Sequence, residues 1–183
     1  ESKLILQELK NEDQYFEIGG GIGFNAILAS RLATSVSVIE ANPKQINKIQ
    51  RNARLNKANF DLYCGFLGNG YLGIPFYSSS EFWSSNNKNE TNDVVFVGGL
   101  SVDIILKNKP TFLVIDIEGG ELELIPQLFQ AIVQIPRILI VELHPDVITE
   151  KGCIELREIL GGIYSIIERQ ENSNVYMFKN YFL

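Results

Sequence analysis

Short apolar runs alternate along this chain with segments whose apolar residues recur at helical spacing. Residues 4–9 predict a short leading helix. Residues 15–18, Tyr-Phe-Glu-Ile, predict a strand that breaks at Gly19, Gly20 and Gly21. A helix is predicted over 24–32, with Ile27, Leu28 and Leu32 on one side. Residues 35–39 predict the next strand, which ends at Glu40. Asn42 and Pro43 then open a helix to about residue 56, because Asn caps a helix start and Pro suits its first turn. Strands follow over 60–66 and 72–77.

Between 78 and 92 Ser and Asn dominate around Phe82 and Trp83, which predicts a long surface loop after the short strand, placed over the rim where ligands bind. Pattern returns with a strand over 94–97 and a brief helix over 101–106. Residues 112–117 are apolar until Asp116, as in a strand covered on both faces. A helix over 121–132, a buried strand over 138–143 and a helix over 153–160, closed by Gly161 and Gly162, come next. The last two strands, 164–168 and 175–179, are joined through residues 170–174. So short a connection makes an antiparallel hairpin, since parallel neighbours need a crossover of about a dozen residues or more. The whole reads as one α/β domain over 1–183, a doubly wound, mostly parallel sheet whose last strand is reversed.

Composition narrows the function classes. With 16 Lys and Arg against 22 Asp and Glu, the net charge of −6 makes a nucleic-acid backbone a poor partner. Two distant cysteines, Cys64 and Cys153, support neither a disulfide scaffold nor a Cys-based zinc site; they are expected to be reduced, mostly buried thiols of a cytoplasmic protein. No apolar run approaches the roughly 20 residues of a membrane span. The opening Glu1-Ser2-Lys3-Leu4-Ile5-Leu6 lacks a signal peptide's basic stretch and long apolar core, and the missing Met points to a trimmed fragment.

The candidate chemistry begins at Glu17-Ile18-Gly19-Gly20-Gly21-Ile22-Gly23. Glycines between a strand and a helix let the backbone turn sharply and let a ligand approach it, at the place where a doubly wound sheet binds nucleotides. The dinucleotide fingerprint G-x-G-x-x-G would need glycine at 24, where Phe24 stands, and no Gly-Lys-Ser/Thr follows for a phosphate loop. Glu40, seventeen residues beyond Gly23 at a strand end, is suited to accept both hydroxyls of a ribose. The loop carries no basic residue, so the ligand is expected to be a nucleoside and not a pyrophosphate.

A second set of polar residues gathers at the later strand ends. Asp116 and Glu118 lie two apart, which would place them on one strand face at the carboxyl rim. His144, the sole histidine, follows Glu142 off another buried strand and is a candidate general base. Glu121 reads as a helix-start acid that accepts backbone N–H groups. Asp116 and Glu118 alone are too few ligands for a metal, so none is expected.

The segment from Glu17 to Asn25, followed by Glu40-Ala41-Asn42-Pro43, resembles the glycine loop and acidic loop of class I S-adenosylmethionine-dependent methyltransferases. Ile115-Asp116-Ile117-Glu118-Gly119-Gly120-Glu121 and Ile140-Val141-Glu142-Leu143-His144-Pro145 resemble, more narrowly, the FkbM family within that class. The likeness runs from about Tyr15 to the end. It implies a seven-stranded sheet and methyl transfer to a hydroxyl of a sugar or secondary metabolite. It also implies that Glu17 orients the loop, that Gly19, Gly21 and Gly23 line the cofactor, and that Glu40 with Ala41 takes the ribose. Gly68 and Asn69 match the family's adenine-side Gly-Asp, with Asn as a departure. Asp116, Glu118 and His144 are the candidate catalytic residues, and Asp116 is also a candidate cofactor contact. The family usually carries Lys two residues before this Asp; here it is Val114.

The expected function is therefore S-adenosyl-L-methionine-dependent O-methylation of a small-molecule or sugar acceptor. The competing readings are a non-catalytic cofactor-binding module of a larger assembly and, for want of the third dinucleotide glycine less favoured, an NAD-dependent oxidoreductase.

Overall fold

The computed structural model describes residues 1–67, 74–78, 84–85 and 93–180, with side chains over 1–67 and 96–180. The chain opens with α1 (Ser2–Glu8), β1 (Gln14–Ile18), α2 (Phe24–Ala29), β2 (Ser35–Glu40) and α3 (Pro43–Asn56). As its sequence predicts, α3 is capped by Asn42, whose side chain accepts from the Lys44 backbone N–H at 2.9 Å. The predicted strand over 60–66 is instead two pieces, β3 (Asp61–Cys64) and β4 (Phe66–Leu67), broken at Gly65, where a Cβ would fall 2.6 Å from Leu100.

Next come β5 (Ile74–Ser78), β6 (Ser84–Ser85), β7 (Asp93–Val97) and β8 (Gly99–Leu100). β5 pairs antiparallel with both β6 and β7, while β8 pairs with β4. The predicted surface loop over 78–92 is thus partly strand. Gly68, Asn69, Phe82 and Trp83 lie outside the described residues.

The second half holds α4 (Asp103–Asn108), β9 (Phe112–Ile115), α5 (Glu121–Ala131), β10 (Ile138–Glu142), α6 (Pro145–Gly161), β11 (Ile166–Arg169) and β12 (Val175–Lys179). The helix expected to begin at Cys153 starts eight residues earlier and is broken at Thr149, whose φ of 66° and ψ of 156° are non-helical.

Seven strands form the main sheet in the order β11-β12-β10-β9-β1-β2-β3. Only β12 runs against its neighbours, pairing antiparallel with both β10 and β11. The hairpin deduced from the short 170–174 connection is therefore present. Alternation along the buried strands divides the core into two layers. Phe16, Ile18, Leu113, Ile115, Leu139 and Val141 pack with α5 and α6 on one face. Tyr15, Phe112, Val114, Ile138 and Ile140 pack with Ile5 of α1 and Ala26 and Ala29 of α2 on the other. Val114, where the family usually carries Lys, is a fully buried member of that second layer. Cys153 is buried as expected, but Cys64 is exposed; both are free thiols.

The layer structure sets an energetic expectation. Leu113 on central β9 is fully buried, whereas Val133 is 97% exposed. Leu113→Ala is expected to cost about 2–5 kcal/mol of unfolding free energy and Val133→Ala less than about 0.5 kcal/mol. Urea denaturation of both variants measures this; similar losses would contradict the assigned core.

Candidate active site

The strand register builds the site. Ile39, Ile18, Ile115 and Val141 stand in one row across β2, β1, β9 and β10. The next residue of each chain is Glu40, Gly19, Asp116 and Glu142, so these four line the carboxyl rim. The chain leaves β1 toward β2 and β3 and later returns on its other side through β9 and β10. The point where the order reverses, between β1 and β9, is where open α/β sheets bind ligands.

Gly19 is held tightly there. It has φ 95°, and a Cβ on it would lie 1.6 Å from the Asp116 carbonyl oxygen. The Asp116 N–H donates to the Ile18 carbonyl at 2.9 Å, and the Gly19 and Gly20 N–H groups donate to the Ile39 carbonyl at 2.9 and 3.1 Å. Gly21 has φ 53° and nothing within 4 Å of its Cβ position, so this bend of the loop faces open space. Gly23, φ 82°, caps α2, and its Cβ position lies 3.0 Å from Ile49, so this glycine governs how closely α2 approaches α3.

Glu40 is buried beside the loop. Its Oε2 accepts from the Gly21 N–H at 2.8 Å and its Oε1 from the Asn42 N–H at 2.7 Å. Burial raises its pKa, opposed by these two donors and by the Ala41 N–H. A carboxylate has about four acceptor sites, so capacity remains for a ligand hydroxyl. Glu17 is also buried, with Oε1 accepting from Asn25 Nδ2 at 3.3 Å and Oε2 unpartnered among the described residues. Burial, then the charges of Glu1, Asp116 and Glu40, push its carboxyl well above the usual range against the Asn25 hydrogen bond.

Asp116, Glu118 and His144 meet on the other side of Gly19. His144 Nε2 lies 3.5 Å from Asp116 Oδ1 and 3.3 Å from Glu118 Oε2, and its Nδ1 is 2.6 Å from Glu121 Oε1. The sequence argument for pairing the two acids rests on a shared strand face, and that premise fails. β9 ends at Ile115, and Glu118 adopts φ 54° followed by Gly119 at φ 105°. A left-handed turn, not strand alternation, carries Glu118 back toward the rim.

Glu121 is the residue whose role sequence reasoning missed. It accepts from the Gly119 N–H at 3.2 Å, as a helix-start acid should, but it is 0% exposed and its main partner is His144. Its position inside the Asp-Ile-Glu-Gly-Gly-Glu segment was the available signal.

The electrostatics follow from crowded acids. Burial pushes Asp116 up to about 8, helped by Glu1, Glu142 and Glu118 and opposed by His144. Burial also raises Glu118, against the pull of His144. For His144 burial disfavours the charge, but the hydrogen bond to Glu121 and the charges of Glu121, Glu118 and Asp116 outweigh it and push the ring up to about 9. The ring is therefore an imidazolium at neutral pH. The base role assigned to His144 from sequence would require it first to lose that proton.

The signs of these shifts agree. Between its ordinary 3.8 and about 8, folded Asp116 holds a proton that the unfolded chain has released, so stability falls as pH rises through that window. His144 contributes stability that is complete below its ordinary 6.5 and lost by about 9. The melting temperature of the ligand-free chain is thus expected to fall from about pH 5 to about pH 9, with a flatter profile in Asp116→Asn. A thermal-shift series across pH tests this, and a flat or rising wild-type profile would contradict it.

Among the described residues no helix is long and apolar enough to cross a membrane. Comparison with known proteins accords with the geometry. The fold is similar to precorrin-6y C5,15-methyltransferase from Geobacter metallireducens GS-15, at 19% identity and a TM-score of 0.59, covering 96% of this chain and 83% of that one. It is also similar to the O-methyltransferase from Bacillus cereus in complex with SAH, at 11% identity and a TM-score of 0.53, covering 96% and 76%. At these identities the likeness concerns the fold. A hexuronic acid methyltransferase, AglP of Haloferax volcanii, is 27% identical over 150 residues, which is 79% of this chain and 62% of that relative. The family profile described as the methyltransferase FkbM domain matches residues 17–174, and the chain belongs to that family.

Proposed function

We propose that this chain transfers the methyl group of S-adenosyl-L-methionine to a hydroxyl oxygen of a sugar-like acceptor. The observation that carries the cofactor assignment is Glu40, a buried carboxylate at a strand end that is held by backbone N–H groups and keeps acceptor capacity to spare. The other residues fit the same ligand. Gly21 faces open space, and Glu17 Oε2 and Asp116 Oδ1 are shielded from solvent with no hydrogen-bond partner among the described residues. Unpartnered buried acids suit a cationic ligand such as a sulfonium with its ammonium group.

In this reading Glu40, with Ala41 beside it, takes the ribose hydroxyls. Gly19 and Gly21 line the methionine part, with Gly23 at the loop's end. Glu17 braces the loop through Asn25. Gly68 and Asn69 are assigned to the adenine side by the family resemblance alone. When bound, the cofactor supplies an already activated methyl group, so the protein's share is in-line placement and removal of one proton. Asp116 faces the cofactor, and Glu118 and His144 face the acceptor hydroxyl. With His144 protonated at neutral pH, Glu118 is the better placed proton acceptor, and His144 holds the Asp116 and Glu118 side chains in position. The sugar-like acceptor is supported by the relative whose name specifies a hexuronic acid.

Two substitutions test separate halves of this reading. Glu40→Ala is expected to weaken S-adenosylmethionine binding by about 1–3 kcal/mol, measured by calorimetric titration. Unchanged affinity would sink the ribose assignment. His144→Ala should leave that affinity intact while slowing turnover on a hydroxylated sugar by about 100-fold or more. An undiminished rate would remove His144 from the mechanism.

A further inference from the structure

We propose that Asp116, Glu118 and Nε2 of His144 form a binding site for a divalent metal ion of the Mn2+ kind, oriented by Glu121 through Nδ1. The sequence offered two carboxylates, too few for such a site; the fold adds the imidazole. The three donors lie within 4.8 Å of one another. Nε2 stands 3.3 Å from Glu118 Oε2 and 3.5 Å from Asp116 Oδ1. Those separations are longer than the roughly 2.7–2.9 Å of a charge-assisted hydrogen bond. They match the edges of a coordination shell, where ligands about 2.1 Å from an ion sit about 3.0–3.4 Å apart.

Two further observations point the same way. Asp116 Oδ1, aimed at Nε2, is shielded from solvent and accepts no hydrogen bond among the described residues. Glu121, 0% exposed, takes Nδ1 at 2.6 Å. A buried carboxylate on Nδ1 orients the ring and leaves Nε2 to take an ion in exchange for the proton it releases to solvent, which is the usual support of a metal-binding histidine. Two carboxylates and one imidazole suit Mn2+, with Zn2+ as competitor; Mg2+ and Ca2+ gain less from the nitrogen.

Three protein ligands leave coordination positions open. Resting on the methyl-transfer reading, this site narrows the acceptor to one offering two neighbouring oxygens, such as a vicinal diol or the hydroxyl and carboxylate of a sugar acid. The ion would also offset the rim's negative charge, which otherwise opposes a carboxylate-bearing acceptor.

The probe is Mn2+ alone, titrated into the chelator-treated chain and followed by water-proton relaxation. One equivalent should bind saturably. Glu118→Gln and His144→Ala should each weaken it at least tenfold, and Glu121→Gln by about 10–100-fold. Circular dichroism confirms that each variant is folded, and the wild-type titration stands without them. No saturable binding up to millimolar Mn2+ overturns the site. So does binding indifferent to Glu118→Gln and His144→Ala, or binding lost only in Glu142→Gln, which removes the alternative donor set of Glu1, Asp116 and Glu142. S-adenosylmethionine titrated into the same metal-free chain separates the two readings. Its binding without Mn2+ binding sinks the ion site alone, whereas Mn2+ binding without it sinks the methyl-transfer reading and leaves the ion site standing.

Discussion

The close approach of β1 and β9 at their carboxyl ends is the constraint on which the rest of the site depends. Gly19 lies so near the Asp116 carbonyl that no side chain fits between them. The Asp116 N–H is tied to the Ile18 carbonyl in the same step. This contact sits where the strand order reverses, so it closes the crevice floor and leaves the loop above it to bend toward solvent. Only a residue without Cβ, free to adopt positive φ, can stand there. With Gly19 fixed, Gly21 is delivered to the Glu40 carboxylate on one side, and Asp116 is delivered to His144 on the other.

The two sides of that contact carry different electrostatics. Around Glu40, backbone N–H groups partly offset the cost of burying the charge. Around His144 the compensation is side chain to side chain, with one imidazolium facing Glu121, Glu118 and Asp116. One ring among three acids leaves Asp116 to relieve the crowding by keeping its proton, and Glu17 nearby adds a further shielded oxygen without a partner among the described residues. Such an excess of acid is costly to an empty fold and favourable to a positively charged occupant.

Much of this was readable from the chain. The apolar runs at 112–117 and 138–143 announced strands covered on both faces, and the short 170–174 connection demanded a reversed final strand. Glu40 and the glycines, both local features, could be placed at the carboxyl rim from their spacing. Less legible were the breaks. Gly65 splits the strand expected over 60–66, and Thr149 interrupts a helix whose first turn, Pro145 to Ile148, is too short to show a helical period. The fold class was legible because alternation and connection length are local properties with a steep energetic penalty for violation.

The sequence by itself determined which residue types would reach the rim: a glycine turn after β1, an acid after β2, an acid-rich turn after β9 and a histidine after β10. Tertiary structure alone decided which of them meet. Glu121 looked like an ordinary helix-start acid, and nothing local predicts that His144, 23 residues later, ends against it. Asp116 and Glu118 were expected together for a strand that stops before either. Their convergence depends on the positive φ of Glu118 and Gly119 and on the parallel register of β9 with β10. Charge, protonation and any ion at this site arise from those through-space distances. A linear pattern carries residue identity and period, but Coulomb energies depend on separation and burial, which exist only once the sheet has closed.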